Sequence, residues 1–295
     1  MSTVADSRPF DICGALPTGV TVLEASAGTG KTFAIAALAA RYVAEGMPLD
    51  RLLLVTFTRN ATSELRERVR ERLVSTERGL GRALAGAPPE NRDEVVELLA
   101  RGDRADVEWR GEHLARAIAD FDDATIATTH GFVQEIVGGL GVAGDVEPDP
   151  TFVEDLGDLL DEVVDDLYVR RFHHWRGDRA FDRKEAMAIA RLATENPAAP
   201  LEPRSAGKDT IAAMRVRLAG AVREELERRK RRGGVVTYDD YLTRLDQTLK
   251  GPAGEAAAER LRARYRVVMV DEFQDTDPVQ WEILERAFHG HPRWC

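Results

Sequence analysis

Four short apolar runs along the chain have the length and composition of buried strands. They are Val20–Leu23, Arg51–Thr56, Ala124–Thr128 and Arg266–Val270. A helical pattern follows each run, in the last case after a short turn. Strands that alternate with helices are typical of an α/β fold around a parallel sheet. We therefore predict a parallel-sheet core in which these four runs are the strands.

The helical segments fall into two kinds. Phe33 to Val43 is apolar nearly all round, as in a helix packed inside a core, whereas residues 61–73 carry an apolar residue at every fourth position among charges. Residues 76–121 and 150–232 have helical spacing without a strand signal. We expect the following organisation: a core built from residues 1–75, 122–149 and 233–295, a helical insertion at 76–121 and a helical subdomain at 150–232.

Composition narrows the class of protein. The 295 residues suffice for roughly two domains of about 150 residues, and 43% of them are hydrophobic. No window approaches the ~20 apolar residues that span a bilayer, and the N-terminus lacks the pattern of a signal peptide, so we expect a cytoplasmic protein without a membrane partner. Cys13 and Cys295 are too few for a disulfide framework or a zinc cluster. A net charge of −10 argues against a nonspecific nucleic-acid coat protein, although a local basic groove stays compatible with it.

A glycine-rich turn joins the first predicted strand to the first predicted helix. Its residues are Ala25, Ser26, Ala27, Gly28, Thr29, Gly30, Lys31 and Thr32. Backbone N–H groups in such a turn, with the positive end of the following helix dipole, bind a polyphosphate. In this interpretation Lys31 reaches the β- and γ-phosphates of ATP and the Thr32 hydroxyl ligates Mg²⁺. Ala25 stands where the general pattern has glycine; the alternative is a glycine turn that only caps a helix.

Two acids follow the last predicted strand. Asp271 and Glu272 end an apolar run, a position that favours acids only where a cation binds. A strand-end aspartate can hold Mg²⁺, and the adjacent glutamate can deprotonate the attacking water. Asp277 as N-cap and Pro278 at the first position predict a helix start. A solvated acidic turn is the alternative, but together with the phosphate loop the pair predicts a site of ATP hydrolysis.

Polar and aromatic residues follow the second and third predicted strands. They are Thr56, Phe57 and Thr58 after one strand and Thr129, His130 and Phe132 after the other. Bases stack on aromatic rings and hydroxyl groups bind phosphates, so these positions suit a track for single-stranded nucleic acid. A core role for Phe57 and a structural role for His130 are the alternatives.

Together these segments resemble the N-terminal part of a superfamily 1 DNA helicase of the UvrD type. The residues that carry the resemblance are Glu24–Thr32, Val55–Thr58 with Ala61, Thr62 and Glu64–Arg66, Thr129–Phe132, Thr237–Asp246 and Asp271–Pro278. The resemblance implies a RecA-like phosphate-loop core (helicase domain 1A with 1B), ATP and Mg²⁺ as cofactors, and a single-stranded DNA path along the six residues named above. It also implies that Lys31 and Thr32 bind ATP and Mg²⁺, that Asp271 ligates the metal, that Glu272 activates water and that Gln274 lies near the γ-phosphate. Relatives often carry a glutamine that reads adenine before the loop, and this sequence has none there.

Within that family, the residues of the phosphate loop, which begins Glu-Ala-Ser, and the His-Gly-Phe triplet at residues 130–132 favour the RecB-like helicase–nuclease branch. This implies action on single- and double-stranded DNA in double-strand-break repair and recombination, with RecC- and RecD-like partner subunits. The second phosphate-loop-like domain and a nuclease domain are missing, so we expect a fragment that neither translocates nor unwinds alone. A nonenzymatic remnant that binds ATP or a partner protein is the main alternative, and a small nucleotide kinase fits less well.

Two further polar segments lie between residues 228 and 240. The basic run at residues 228–232 suits a solvated helix end better than a phosphate contact. For Asp239 and Asp240 we expect a structural role.

Overall fold

The computed structural model describes residues 9–24, 30–140, 151–153, 155–173, 181–195, 199–204, 207 and 210–288. The chain divides into two compact units: residues 1–142 with 242–295, and residues 143–241.

The first unit contains a parallel sheet of three strands, β1 (Leu52–Thr56), β2 (Thr125–Thr128) and β5 (Val267–Val270). Their order in the sheet is β2-β1-β5. Leu53 pairs with Thr125 on one side and with Val268 on the other, so β1 is the middle strand. All five residues of β1 are buried, as expected for a strand covered on both faces. Three of the four predicted strands are therefore confirmed, with bounds shifted by a single residue.

The prediction of a strand at Val20–Leu23 is wrong. These residues form no strand, and Val20 and Val22 are 61% and 69% exposed. A strand is defined by backbone hydrogen bonds to a neighbour, and an apolar run does not reveal whether a neighbour is there. In the described part of the chain β5 ends the sheet, and its outer edge does not pair with this segment.

Helices complete the first unit. They are α1 (Lys31–Ala44), α2 (Arg59–Leu84), α3 (Glu94–Leu99), α4 (Arg104–Ala119), α5 (Thr129–Leu140), α10 (Gly254–Arg264), α11 (Pro278–Phe288) and the greater part of α9 (Tyr238–Lys250). Helix α1 is buried continuously from Ala36 to Ala44 and packs against α2 and α4, which confirms the prediction of a core helix. Leu65, Val69 and Leu73 form the buried stripe of α2. The hydrophobic core thus lies between these helices and β1.

The second unit is mainly helical. It contains α6 (Gly157–Phe172), α7 (Arg183–Glu195) and α8 (Ile211–Gly233), which pack around a core that includes Val163, Phe172 and Val222. Two short strands, β3 (Thr151–Phe152) and β4 (Val235–Val236), pair in parallel. The sequence pattern did not predict them, because two-residue strands are too short to show an alternation.

Candidate ATP-hydrolysis site

The described part of the phosphate loop begins at Gly30, directly before α1. Gly30 has φ 93° and ψ 27°, the left-handed conformation that glycine adopts without a side-chain clash. Among the described residues no side chain caps the start of α1, and its first turn contains no acid, so its N–H groups and positive dipole end suit an anion. Lys31 is the first residue of this helix, and Thr32 follows it, half-buried. The predicted phosphate-binding residues Ala25, Ser26, Ala27, Gly28 and Thr29 lie outside the described residues.

The two predicted acids lie at the carboxyl end of β5. The backbone N–H of Asp271 donates to the Val55 carbonyl at 2.9 Å, so the β1–β5 pairing continues to the first acid. Glu272 has φ 50° and ψ 46°, and in the described part of the chain it is the non-glycine residue with positive φ. Such strained backbone persists where the surrounding structure holds it, and it is frequent at functional sites. The Glu272 N–H donates to Asp271 Oδ1 at 3.0 Å, which fixes the two acids to each other.

The lysine and the acids meet although 241 positions separate them in the sequence. Lys31 Nζ donates to Glu272 Oε2 at 2.9 Å. Gln274 Nε2 donates to the same carboxylate oxygen. The charge of Asp271 also acts on Lys31, and so does that of Asp275. The fold thus gathers Lys31, Asp271, Glu272 and Gln274 at one site.

The pKa values at this site follow from these contacts. The hydrogen bond to Glu272 raises the pKa of Lys31. Hydrogen bonds from Gln274 and then Lys31 lower the pKa of Glu272. Burial raises the pKa of Asp271, and the charges of Glu272 and Glu64 act in the same direction. The lysine and glutamate are therefore held as an ion pair, whereas the Asp271 carboxylate lies where a further cation would stabilise it.

The donor set at the strand end fits Mg²⁺. Asp271 supplies a half-buried carboxylate and Thr32 a hydroxyl group, both hard oxygen ligands. The described residues contain no group of three or more His, Cys, Asp or Glu side chains arranged to hold a metal. Mg²⁺ in nucleotide sites needs no such cage, since it takes one or two protein ligands and otherwise waters and phosphate oxygens.

The residues predicted to contact DNA after β1 differ in exposure. Thr58 is exposed and caps α2, with its hydroxyl accepting from the Ala61 N–H at 3.1 Å. Phe57 is half-buried. Thr56 is 1% exposed, and its hydroxyl is hydrogen-bonded to that of Thr62 at 2.6 Å. The expectation of direct DNA contact is therefore corrected for the Thr56 side chain, which joins β1 to the first turn of α2.

The residues after β2 divide in the same way. His130 is exposed, whereas Thr129 is buried and its hydroxyl lies 3.5 Å from the Thr56 carbonyl. Phe132 is 2% exposed, and its ring packs edge-on against Tyr265 with centroids 6.1 Å apart. A ring enclosed in this way cannot stack on a base, so Phe132 takes a core role in this structure. Phe132 lies on α5, which packs against β1 and β2.

Three residues that the sequence reasoning left without a role contribute to this region. Glu64 and Asp275 add negative charge near Asp271 and Lys31, respectively. Arg66 Nη2 donates to the carbonyls of Ala124 and Ile126 at 3.3 and 3.4 Å and so ties α2 to β2. For Glu64 and Arg66 the sequence position could have indicated this. Both lie in the early turns of the helix that follows β1, and this helix begins at the carboxyl edge of the sheet.

The basic run at residues 228–232 lies in the last turns of α8. Lys230 is buried and donates to Asp240 Oδ1 and Glu227 Oε1, each at 2.7 Å. Asp240 also accepts from the Thr237 N–H at 2.7 Å at the start of α9. The structural role expected for Asp240 is confirmed, and the run is in part a buried ion-pair network as well as a helix end.

Comparisons with known proteins identify the family of this chain. A profile of the UvrD/REP helicase N-terminal domain matches residues 12–295. RecBCD enzyme subunit RecB of Mycolicibacterium smegmatis is 49% identical over 96% of this chain, and that of Mycobacterium tuberculosis H37Rv is 47% identical over 96%. The same subunit of Escherichia coli K12 is 26% identical over 93% of the chain. The chain spans 26% of the length of each mycobacterial relative and 33% of the E. coli protein. None of the helices in the described ranges has the length and apolarity that crossing a membrane requires. Because the family profile matches nearly all of its residues, this chain belongs to the UvrD/REP helicase N-terminal domain family.

Proposed function

We propose that this chain is the ATP-binding motor domain of a RecB-like DNA helicase. In this function ATP hydrolysis drives movement along single-stranded DNA during double-strand-break repair and recombination. The observation that carries the proposal is the 2.9 Å contact between Lys31 Nζ and Glu272 Oε2, which unites the two halves of the predicted hydrolysis site. The match to RecB subunits over 96% of the chain supports the same function.

Each residue of the site has a distinct task in ATP hydrolysis. The Lys31 ammonium binds the β- and γ-phosphate oxygens and stabilises the charge that develops on the transferred phosphoryl group. Thr32 and Asp271 would hold Mg²⁺, which would neutralise phosphate charge there. Glu272 orients the attacking water and accepts its proton, since a glutamate carboxylate is ionised at neutral pH. Gln274, hydrogen-bonded to Glu272, keeps that carboxylate in place beside the γ-phosphate.

The proposed DNA path uses the exposed polar and aromatic groups at the carboxyl edge of the sheet. Phe57 offers a half-buried ring for base stacking, and Thr58 and His130 offer exposed polar groups for phosphates. Thr129 contributes through its backbone at the start of α5. The acidic net charge of −10 does not favour general DNA binding, so we propose a local contact.

Partner subunits follow from the relatives. The relatives are named as subunits of the RecBCD enzyme. We therefore propose RecC- and RecD-like partners for the complete gene product that carries this sequence.

The test measures ATP turnover of that gene product with and without single-stranded DNA. The Lys31→Ala variant should lose DNA-stimulated turnover by about 10²-fold or more, as expected when a group that stabilises transition-state charge is removed. Lys184→Ala is the matched control, because Lys184 is exposed and lies in the second unit. Turnover of Lys31→Ala equal to that of the control would refute the proposal. Nucleotide binding by the wild type without turnover would instead indicate a nonenzymatic binding module.

A further inference from the structure

Lys31 already has an anionic partner within its own chain. Glu272 Oε2 lies 2.9 Å from its Nζ, at hydrogen-bonding distance. A carboxylate oxygen and a phosphate oxygen are the same kind of acceptor for an ammonium group, charged and strong. The group that is proposed to hold a phosphate therefore already binds a chemically similar group of the protein.

We propose that Glu272 competes with nucleotide phosphate for Lys31, so that the Lys31–Glu272 contact is an autoinhibitory latch that must open when nucleotide binds. This inference rests on the proposed function, since it assigns the phosphate contact to Lys31. It adds a second task for Glu272, which limits nucleotide affinity before it serves hydrolysis.

The local charges require this competition. The carboxylates whose charge acts on Lys31 are those of Glu272, Asp271 and Asp275. A polyphosphate that reaches the start of α1 brings further negative charge to the same ammonium group. Glu272 is the acid in direct contact with Lys31, so it is the one that repulsion displaces first.

Gln274 gives the displaced carboxylate a place to remain. Its side-chain amide donates to the same Oε2 atom, so Glu272 has a second partner besides Lys31. The left-handed backbone of Glu272 also fixes the direction in which its side chain extends from the main chain. When Lys31 moves to phosphate, Glu272 therefore keeps its hydrogen bond to Gln274. Having lost its contact with Lys31, it can accept a proton from water.

The first experiment measures binding of a nonhydrolysable ATP analogue and of ADP to the 295-residue chain at about 0.15 M salt. Glu272→Gln removes the charge but keeps the side-chain length, and exposed ion pairs are weak, so we expect about two- to fivefold tighter binding of both. Asp275→Asn is the matched control: it removes an equal charge near Lys31 without a hydrogen bond to it, and salt screens such charges. Its affinity should change by less than about 1.5-fold.

The second experiment reads the contact without nucleotide. Amine-selective labelling followed by mass spectrometry compares Lys31 with exposed Lys184 in the same molecule. The latch holds Lys31 in a hydrogen bond, so Glu272→Gln should raise its labelling relative to Lys184 by about two- to fivefold, and Asp275→Asn should leave the ratio unchanged.

The outcomes separate the latch from the proposed function. Tighter analogue binding by Glu272→Gln but not by Asp275→Asn supports the latch. Wild-type binding that Glu272→Gln leaves unchanged or weakens overturns the latch and leaves the proposed function standing. A wild-type chain that binds neither nucleotide, with Lys31 labelling unaffected by millimolar ATP, overturns the latch, whereas the proposed function is overturned only if Lys31→Ala leaves DNA-stimulated turnover of the complete gene product equal to that of Lys184→Ala.

Discussion

Replacing Gly30 by alanine is expected to destabilise the start of α1. Gly30 has φ 93° and ψ 27° and directly precedes Lys31, so its conformation sets the direction in which the lysine leaves the phosphate loop. Among the described residues, a Cβ atom built on Gly30 would meet the Cβ of Phe33 at 3.9 Å, which is ordinary contact. Steric crowding therefore contributes little. The cost is that of left-handed backbone for an L residue, about 1–2 kcal/mol.

Gly111→Ala is the matched control, because it makes the same chemical change in the interior of α4. A Cβ atom there meets nothing within 4 Å, and the helical backbone favours alanine. The control should stabilise the protein by roughly 0.5–1 kcal/mol. Since α4 packs against α1, both effects are expected to appear in the same region, with opposite signs.

Hydrogen exchange of peptides from α1 measures both variants. Exchange of the buried segment from Ala36 to Ala44 reports the free energy of local or global opening, which avoids assuming that the two units unfold together. Gly30→Ala should speed exchange and Gly111→Ala should slow it. If Gly30→Ala slowed exchange as much as the control, the reasoning that this junction needs a left-handed residue would be refuted.

Other predictions concern the second unit and the proposed DNA path. Burial raises the pKa of Asp240, but hydrogen bonds from Lys230 and Thr237 outweigh it and hold the pKa below its ordinary value. The resulting stabilisation is present above the unfolded-chain pKa of about 4 and is lost as the pH falls through the folded-state pKa. In acid titrations followed by circular dichroism, Asp240→Asn should therefore lose less stability than the wild type, and an equal loss would contradict this. Phe57→Ala should weaken single-stranded DNA binding in filter or anisotropy assays by about 1–3 kcal/mol if a base stacks on it, with little change in unfolding. Phe132→Ala should instead lower the free energy of unfolding by about 3–5 kcal/mol, and normal stability of that variant would contradict its core role.

Much of the fold follows from local sequence patterns. The continuous apolar residues of β1 predict a covered strand, and the spacing of Leu65, Val69 and Leu73 at every fourth position predicts an amphipathic helix. Both elements are present. Asp277 accepts from the Val279 and Gln280 N–H groups at the start of α11, as its N-cap position indicates. These features depend on neighbours within a few residues, which the sequence displays directly.

The candidate site is predictable in its composition but not in its contacts. The glycine-rich turn and the strand-end acids indicate a nucleotide site, because their residue types suit phosphate and Mg²⁺. Glu272 contacts Lys31, whereas Asp271 lies against the end of β1. This arrangement depends on the left-handed backbone at Glu272. A glutamate in a sequence gives no signal of positive φ, since this conformation is unfavourable for it and is imposed by tertiary packing.

The sequence by itself determined the strands β1, β2 and β5, the buried helix α1 and the polar residue types that follow the strands. Tertiary structure alone decided which apolar runs pair and which side chains are reachable. Val20–Leu23 is as apolar as a strand and pairs with nothing in the described ranges, while Phe132 has the aromatic ring of a base-stacking residue and is enclosed against Tyr265. The physical reason is common to both: pairing and enclosure depend on partners distant in the chain, which a local pattern does not contain.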